Sequence, residues 1–207
     1  MTQYQTDQEN FWAGEFGNAY LVRNRSAELV AANLALFTKI LETAAPLRSV
    51  IEFGANIGLN MVALKQLLPN AELSAIEINA TAAQALGQLG GVKVYHQSIL
   101  DFVADSPREL AFTKGVLIHI NPEMLPKVYD LLYQSSSRYI CLTEYYNPTP
   151  VSIPYRGHTD VLFKRDFAGE MLDRFPDLKL VSYGFSYHRD HNFPQDDANW
   201  FLMEKRG

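Results

Sequence analysis

Two carboxylates and two glycines make one segment of this chain well suited to hold a ligand. Glu52 lies in the short apolar run 50–53, Gly54 and Gly58 follow that run, and Glu77 ends the next apolar run. Glycines permit positive φ angles and a close approach of the backbone to a ligand. An acidic residue about 20 residues beyond such a loop accepts hydrogen bonds from ribose hydroxyls in βαβ dinucleotide sites. The spacing therefore predicts a site for a nucleoside cofactor.

The hydrophobic pattern around these residues alternates between strands and helices. We predict strands at 50–53, 72–77, 92–95, 110–118 and 138–144, and helices at 26–41, 59–68, 80–89 and 122–134, with a turn or helix near 99–105. Such alternation predicts a doubly wound α/β fold, a parallel sheet with helices on both faces. A helix at 166–174 and extended runs at 178–187 and 199–204 then predict a closing antiparallel pair.

Composition restricts the classes of protein that the chain can represent. A length of 207 residues favours one domain, and a net charge of −5 without a basic tract argues against a nucleic-acid partner. The single Cys141 excludes a disulfide within the chain and is expected to be a small buried residue. The N-terminus lacks a signal-peptide pattern and no apolar stretch is long enough to span a membrane, so we expect a cytoplasmic protein without a membrane partner.

The glycine-bearing segment resembles the first two motifs of the class I S-adenosylmethionine-dependent methyltransferases. Those motifs read roughly (Glu/Asp)-x-Gly-x-Gly-x-Gly, with an acidic residue at the end of the next strand. Here Glu52, Gly54 and Gly58 match, Asn56 replaces the middle glycine, and Asn60 follows. Asparagine tolerates the left-handed conformation better than most residues, so the replacement leaves the loop geometry possible.

The resemblance implies an S-adenosylmethionine cofactor and a Rossmann-like seven-stranded sheet, mostly parallel, with a C-terminal antiparallel strand. It implies that Glu52 and the loop 54–58 hold the methionyl end, Glu77 the ribose, and Ser98 with Ile99 the adenine edge. Many relatives carry Asp at the position of Ser98. The complete set of cofactor-binding residues expected on this basis is Trp12, Glu52, Gly54, Asn56, Gly58, Asn60, Glu77, Ile78, Ser98, Ile99 and Gly115.

Candidate catalytic residues lie beyond the fourth and fifth predicted strands. The block 112–122 resembles the fourth-strand region of small-molecule methyltransferases, where a Leu-x-His-Ile stretch leads into a helix. His119 alternates with apolar neighbours, so it is either a buried histidine that shapes the floor of the site or a general base. Tyr145 and His158 are the other catalytic candidates. Lys114 with Gly115 at the cleft could approach the cofactor, but a solvated lysine is the expected interpretation.

The segment 145–158 combines tyrosines, prolines, Arg and His directly after a strand. Stacking on tyrosine and hydrogen bonding to arginine suit a sugar or nucleotide acceptor. We therefore predict that the acceptor contacts Tyr146, Tyr155, Arg156 and, from the polar insertion between the last two strands, His188. A proline-stiffened surface loop is the alternative interpretation. The aromatic, glycine-containing segment 11–25 is expected to form a lid over the cofactor.

Longer blocks of the chain resemble a narrower group, the methylases associated with pseudaminic acid biosynthesis. The blocks are Phe-Trp-x-Gly-x-Phe-Gly, Glu-Phe-Gly-Ala-Asn-Ile-Gly, Gly-Val-Leu-Ile-His-Ile-Asn-Pro, Glu-Tyr-Tyr-Asn-Pro-Thr-Pro and Asn-Phe-Pro-Gln-Asp-Asp. The resemblance implies methylation of a nonulosonic sugar, its nucleotide-activated form or a precursor. The expected partner is thus a small-molecule acceptor, an amino sugar or nucleotide sugar, and the expected organisation is one domain with a lid and helix at 1–48, a cofactor-binding core at 49–144 and an acceptor side at 145–207.

Three other interpretations remain open from the sequence. A nicotinamide-dependent oxidoreductase is disfavoured by Asn56 and by the absence of a Tyr-x-x-x-Lys pair, and a hydrolase by the absence of a Gly-x-Ser-x-Gly motif. A noncatalytic module that keeps the cofactor fold is disfavoured by the intact acidic and glycine residues. The five histidines show no His-x-x-x-His pair, so we expect no metal.

Overall fold

A computed structural model describes residues 4–23 and 26–206, with the side chains of residues 21–23 left undescribed. The predicted lid segment includes Asn24 and Arg25, which lie outside the described residues. The helices are α1 Asp7–Ala13, α2 Glu15–Arg23, α3 Ala27–Leu41, α4 Leu59–Leu67, α5 Ala80–Gly87, α6 Leu125–Ser135 and α7 Phe167–Arg174. The strands are β1 Ser49–Phe53, β2 Glu72–Glu77, β3 Val92–His96, β4 Arg108–Lys114, β5 Ser136–Glu144, β6 Val151–Ser152, β7 Phe163–Lys164, β8 Leu178–Ser186 and β9 Ala198–Lys205.

Seven of these strands form one sheet in the order β3-β2-β1-β4-β5-β9-β8. The strands from β3 to β5 are parallel, and β9 runs antiparallel to both β5 and β8. This topology confirms the predicted Rossmann-like sheet and its closing antiparallel pair. Because parallel strands present their carboxyl ends at one edge of the sheet, β1, β2 and β4 bring their following loops together.

Helices cover both faces of the sheet, as the continuous apolar strands predict. Val50 packs with α3, α4 and α5, whereas the next residue, Ile51, packs with α6 and α7 on the opposite face. Predicted local features are also present: Ser26 caps α3 by accepting a hydrogen bond from Leu29 N, and Cys141 is buried. No helix in the described ranges is long and apolar enough to cross a membrane.

The fourth strand ends four residues earlier than predicted. It stops at Lys114 because Gly115 adopts φ 67° and the following residues turn into a short 3₁₀ helix, Leu117–His119. The buried Glu144 carboxylate accepts hydrogen bonds from Val116 N at 3.1 Å and from Ile118 N at 3.4 Å. If the strand continued, these N–H groups would donate to a neighbouring strand. Here they donate to the Glu144 carboxylate instead.

The lid segment and the segment after β5 have secondary structure that the sequence interpretation missed. Thr6 and Glu9 form a reciprocal capping box that begins α1, a pattern visible as Thr-x-x-Glu. Residues 145–165, which we call the arm, form a ribbon in which β6 and β7 pair antiparallel. A bridge between Tyr146 and Arg165 closes the base of the arm.

Candidate active site

A cavity of about 500 Å³ opens at the carboxyl ends of β1, β2 and β4. This volume falls within the range of small-molecule and cofactor sites. Nine of the predicted cofactor-binding residues line it: Trp12, Gly54, Asn56, Asn60, Glu77, Ile78, Ser98, Ile99 and Gly115. The cavity is also lined by His119 and His188. The fold therefore brings to one cavity most of the residues that spacing and the family resemblance had indicated.

The loop between β1 and α4 is held in a shape that requires its glycines. Gly54 and Gly58 have φ angles of 76° and 85°, and Asn56 has the left-handed φ of 51° expected of an asparagine at this point. A Cβ at Gly54 would lie 2.7 Å from a Val116 methyl carbon. At Gly58 it would lie 2.4 Å from a methyl carbon of Leu86. Gly58 thus sits behind the loop, where it permits packing, and does not line the cavity.

Glu77 fixes this loop from the end of β2. One carboxylate oxygen accepts a hydrogen bond from Asn56 N at 2.7 Å, and the other accepts one from Asn79 N at 2.7 Å. Burial raises the pKa of Glu77, and the bonds from the backbone of Asn79 and Asn56 oppose that rise. A carboxylate oxygen has two acceptor positions, so Glu77 retains capacity to accept bonds from a ligand in the cavity.

Glu52 lies beneath the loop and does not line the cavity. Its side chain is fully buried and accepts a hydrogen bond from Asn60 Nδ2 at 2.5 Å, while Oε2 has no partner among the described residues. Burial raises the pKa of Glu52 to about 8, and the Asn60 bond opposes this rise. The structure therefore connects Glu52 to the cavity through Asn60 at the start of α4.

Ser98 joins the adenine end of the predicted site to the lid. Its hydroxyl donates to Glu9 Oε1 and accepts a hydrogen bond from Leu100 N at 3.0 Å. Glu9 is buried and lines the cavity, and its other oxygen accepts bonds from Gln5 N and Thr6 N, each at 2.8 Å. Sequence analysis missed Glu9, although the capping-box spacing placed it at the start of a helix. The fold therefore places the Glu9 carboxylate next to Ser98, the residue expected at the adenine edge, whose side chain is a hydroxyl.

His119 is a neutral, mostly buried imidazole that lines the cavity. Its Nδ1 lies 2.6 Å from the carbonyl oxygen of Val161, and because a carbonyl only accepts, Nδ1 carries the proton. Burial lowers the pKa of His119 to about 4, with the Val161 bond opposing that change. The unprotonated Nε2 is left as an acceptor, and the ring lies 4.6 Å from the Trp12 ring.

Aromatic rings join the two N-terminal helices to the tip of the arm. Phe11 lies 5.0 Å from His158 and stacks at 4.0 Å on Phe16, which lies 6.1 Å from Tyr155. The Tyr155 ring in turn lies 5.5 Å from that of His119. Tyr155 and His158, predicted to contact or activate the acceptor, are therefore part of the cover over the cavity. We call this set, Phe11, Trp12, Phe16, His119, Tyr155 and His158, the aromatic lid.

The remaining predicted residues of the arm do not line the cavity. Tyr146 is 41% exposed and faces Phe201, and Arg156 is exposed at the arm tip with φ 50°. Burial, followed by the charge of Asp196, raises the pKa of the Tyr145 hydroxyl, which is therefore neutral at physiological pH. Tyr145 thus keeps its proton, and contact of the segment 145–158 with an acceptor stays a prediction.

His188 lies at the rim of the cavity and is oriented by a carboxylate. Its Nδ1 lies 2.8 Å from both carboxylate oxygens of Asp197, and its backbone N donates to Asp197 Oδ1 at 3.0 Å. Asp197 was not predicted individually from the sequence, although it belongs to the acidic pair Asp196-Asp197 of the polar insertion. Within the described ranges, no group of three or more His, Cys, Asp or Glu residues is arranged to hold a metal ion.

Of the comparisons with known proteins, the one with solved structures gives matches. No family model matches the chain. No curated protein matches it either. Among solved structures, magnesium protoporphyrin IX methyltransferase from Synechocystis PCC 6803 with bound S-adenosylmethionine is 12% identical, with 99% of this chain and 100% of that chain covered and a TM-score of 0.67.

Two further solved structures have the same architecture. The 1,6-didemethyltoxoflavin-N1-methyltransferase of Burkholderia thailandensis, bound to its acceptor and S-adenosylhomocysteine, is 11% identical over 96% of this chain and 87% of that chain, with a TM-score of 0.71. The N-methyltransferase NodS of Bradyrhizobium japonicum WM9 is 12% identical over 88% and 99%, with a TM-score of 0.66. The chain therefore has the fold of the class I S-adenosylmethionine-dependent methyltransferases.

Proposed function

We propose that this protein is an S-adenosylmethionine-dependent methyltransferase that acts on a small-molecule acceptor. The observation that carries the proposal is the Glu77 carboxylate at the end of β2. It binds the glycine-bearing loop through Asn56 N and faces a cavity of cofactor size. The two backbone N–H groups occupy one acceptor position on each carboxylate oxygen, which leaves further positions to accept hydrogen bonds from a ligand.

The residues of the cavity suit the parts of this cofactor. The loop 54–60 and Gly115 would contact the methionyl end, and Glu77 would accept bonds from the ribose hydroxyls. The apolar side chains of Ile78 and Ile99 would enclose the adenine, with Ser98 at its edge. When bound, the cofactor supplies an electrophilic methyl group on a positively charged sulfur.

The protein's contribution is alignment of the acceptor and exclusion of water. The aromatic lid covers the cavity, and Trp12 and His119 form the part of it that lines the interior. With a pKa of about 4, His119 is a weak base, and its free Nε2 serves best to accept a hydrogen bond that orients the acceptor. An amine acceptor needs no protein base, whereas a hydroxyl gains from one.

The acceptor that we propose is a nonulosonic sugar of the pseudaminic acid type, its nucleotide-activated form or a precursor. The support for this acceptor is the set of long sequence blocks that resemble methylases associated with that pathway. A rim that carries polar groups, with His188, Gln195 and Asp196 beside the aromatic lid, is compatible with a polar sugar. The cytoplasm is the compartment that fits such an acceptor.

Calorimetric titration tests the cofactor before any acceptor is known. The purified chain is titrated in parallel with S-adenosylmethionine, S-adenosylhomocysteine and NAD. We expect micromolar binding of both sulfur nucleosides and none of NAD. Binding of NAD alone would contradict the proposal in favour of an oxidoreductase, and no binding at all would favour a noncatalytic module.

A second experiment separates binding from turnover once an acceptor is found. His119→Asn and His158→Asn are assayed with the cofactor saturating, beside His191→Asn as an exposed control on the surface loop. We expect His119→Asn to reduce the rate of methyl transfer without reducing cofactor affinity, because asparagine lacks the imidazole Nε2 that would accept a hydrogen bond from the acceptor. Full rates in both variants would remove His119 and His158 from the reaction.

A further inference from the structure

Lys114 is a cation inside the cavity, contrary to the sequence expectation of a solvated lysine. It ends β4 and is mostly buried. Alternation along the strand sends its side chain to the same face as Leu110 and Phe112, which pack with α3 and α4. Among the described residues that line the cavity, Lys114 is the one lysine or arginine. Its ammonium group is therefore the main positive charge available to a ligand.

The ammonium group lacks a bonded counter-ion within the described part of the chain. Burial lowers the pKa of Lys114, and the charges of Glu52, Asp196 and Glu144 oppose that change. None of the three carboxylates lies within ion-pair distance of Nζ among the described residues. A mostly buried charge without a partner is unfavourable, which is why such groups are usually paired.

Two of these carboxylates are committed to other contacts. Glu52 accepts from Asn60 Nδ2, and Glu144 accepts from the backbone after Gly115. Burial raises the pKa of Glu52 to about 8 and that of Glu144 to about 7, so both carry reduced negative charge at neutral pH. Asp196, at the rim of the cavity, is the third carboxylate whose charge acts on Lys114.

We propose that Lys114 is the anion-binding residue of this cavity and that it binds a carboxylate brought by the ligand. Two ligands of the proposed function carry a carboxylate: the methionyl end of the cofactor and the acid group of a nonulosonic acceptor. The methionyl end also carries an ammonium group, which Asp196 at the rim of the cavity could meet. The inference rests on the proposed function, and the experiment distinguishes these two sources.

The experiment compares each acid with an analogue that has no carboxylate. Calorimetry measures the affinities of S-adenosylhomocysteine and of methylthioadenosine, the same nucleoside thioether without the amino-acid end. It also measures N-acetylneuraminic acid, as a soluble nonulosonic acid, and its methyl ester. The wild type is compared with Lys114→Met, with Lys114→Arg, which keeps the charge, and with Lys127→Met, which removes an exposed lysine on α6.

We expect Lys114→Met to weaken one of the two acids by at least about tenfold and to leave its uncharged analogue unchanged. Loss confined to S-adenosylhomocysteine assigns the subsite to the cofactor, and loss confined to the sugar acid assigns it to the acceptor. Lys127→Met should bind all ligands as the wild type does. Unchanged affinities for both acids in Lys114→Met would overturn the inference.

The proposed function and the inference can fail separately. If the wild type binds neither nucleoside, the proposed function fails, and binding of the sugar acid still tests Lys114. If the wild type binds neither S-adenosylhomocysteine nor the sugar acid, the inference fails as well. Should Lys114→Met not fold, the wild type alone decides. Its preference for at least one of the two acids over the corresponding analogue must then weaken as sodium chloride increases, because screening reduces the attraction of opposite charges. Equal affinities for acid and analogue in both pairs would overturn the inference.

Discussion

The two sides of the cavity are held together by different kinds of interaction. On the cofactor side, Glu77 and the carbonyl of Ile76 bind the loop through backbone N–H groups at 2.7–3.0 Å. On the lid side, Phe11, Phe16 and Tyr155 hold the N-terminal helices to the arm mainly through ring contacts at 4.0–6.1 Å. Hydrogen bonds to buried charges fix direction and distance, whereas ring contacts tolerate sliding.

This difference indicates how binding and access are divided within the fold. The cofactor side is built from consecutive elements, β1 to β2, and is pre-organised before a ligand arrives. The lid side is built from segments more than 100 residues apart in the sequence, and Gln8 Nε2 bonding to Asp160 O at 2.8 Å adds one hydrogen bond to the ring contacts. Elements with few hydrogen bonds open at lower free energy than core elements, so we expect the lid side to open first.

Removal of Glu77 should have the largest effect, because it breaks the cofactor side itself. Glu77→Ala leaves two buried N–H groups without their acceptor, and we expect a loss of stability on the order of 3 kcal/mol together with a loss of cofactor affinity. Urea unfolding and calorimetry measure the two effects. Glu72→Ala, an exposed position at the start of the same strand, is the matched control. Unchanged cofactor affinity in Glu77→Ala would remove the ribose assignment.

The pH dependence of the free energy of unfolding should test the cofactor side of the cavity, where Glu52 lies beneath the loop. Burial raises the pKa of Glu52 from 4.5 in the unfolded chain to about 8 in the folded protein, so the folded state binds the extra proton between these values. The stability that this proton contributes is fully present below pH 4.5 and is lost as pH rises to about 8, with a slope of up to about 1 kcal/mol per pH unit.

The variant Glu52→Gln should have a smaller slope, because its amide does not titrate and the slope that remains comes from other buried carboxylates such as Glu144. Urea unfolding between pH 6 and 8 in the wild type and in Glu52→Gln measures the difference, with exposed Glu72→Gln as the control. His119 acts in the opposite sense: its lowered pKa means that stability is lost as pH falls below 6.5 towards about 4. The same slope in wild type and Glu52→Gln would show that Glu52 is not the titrating group.

Loosening of the aromatic lid should have the smallest effect on global stability. Phe16→Leu removes the stack on Phe11 and the contact with Tyr155, and we expect a loss of about 1 kcal/mol. Amide hydrogen exchange at residues 155–158 should accelerate, while exchange in β1 and β2 should not change. Phe185→Leu, an exposed residue on β8, is the control. Faster exchange in β1 as well would mean that both sides of the cavity open together.

The sequence predicted those parts of the protein that depend on neighbouring residues. The β1 strand, its glycine loop, α4 and β2 are set by periodicity and by residues that permit positive φ, and they occur within 30 residues of one another. For the same reason Asn56 could be expected in the left-handed region and Ser26 at a helix cap. The parallel sheet followed because alternating strands and helices have few other ways to pack.

Only the tertiary structure decided which side chains meet across long separations. Ser98 bonds to Glu9, Glu144 ends β4 through the backbone of Val116, and Lys114 faces the cavity. Each outcome depends on which loop lies above which strand end, and that is a property of the packed sheet. Local pattern specifies the elements, because helix and strand periods are encoded in adjacent residues. Packing decides the partners of a polar side chain, because a buried polar group forms its hydrogen bonds with the groups that the fold places next to it.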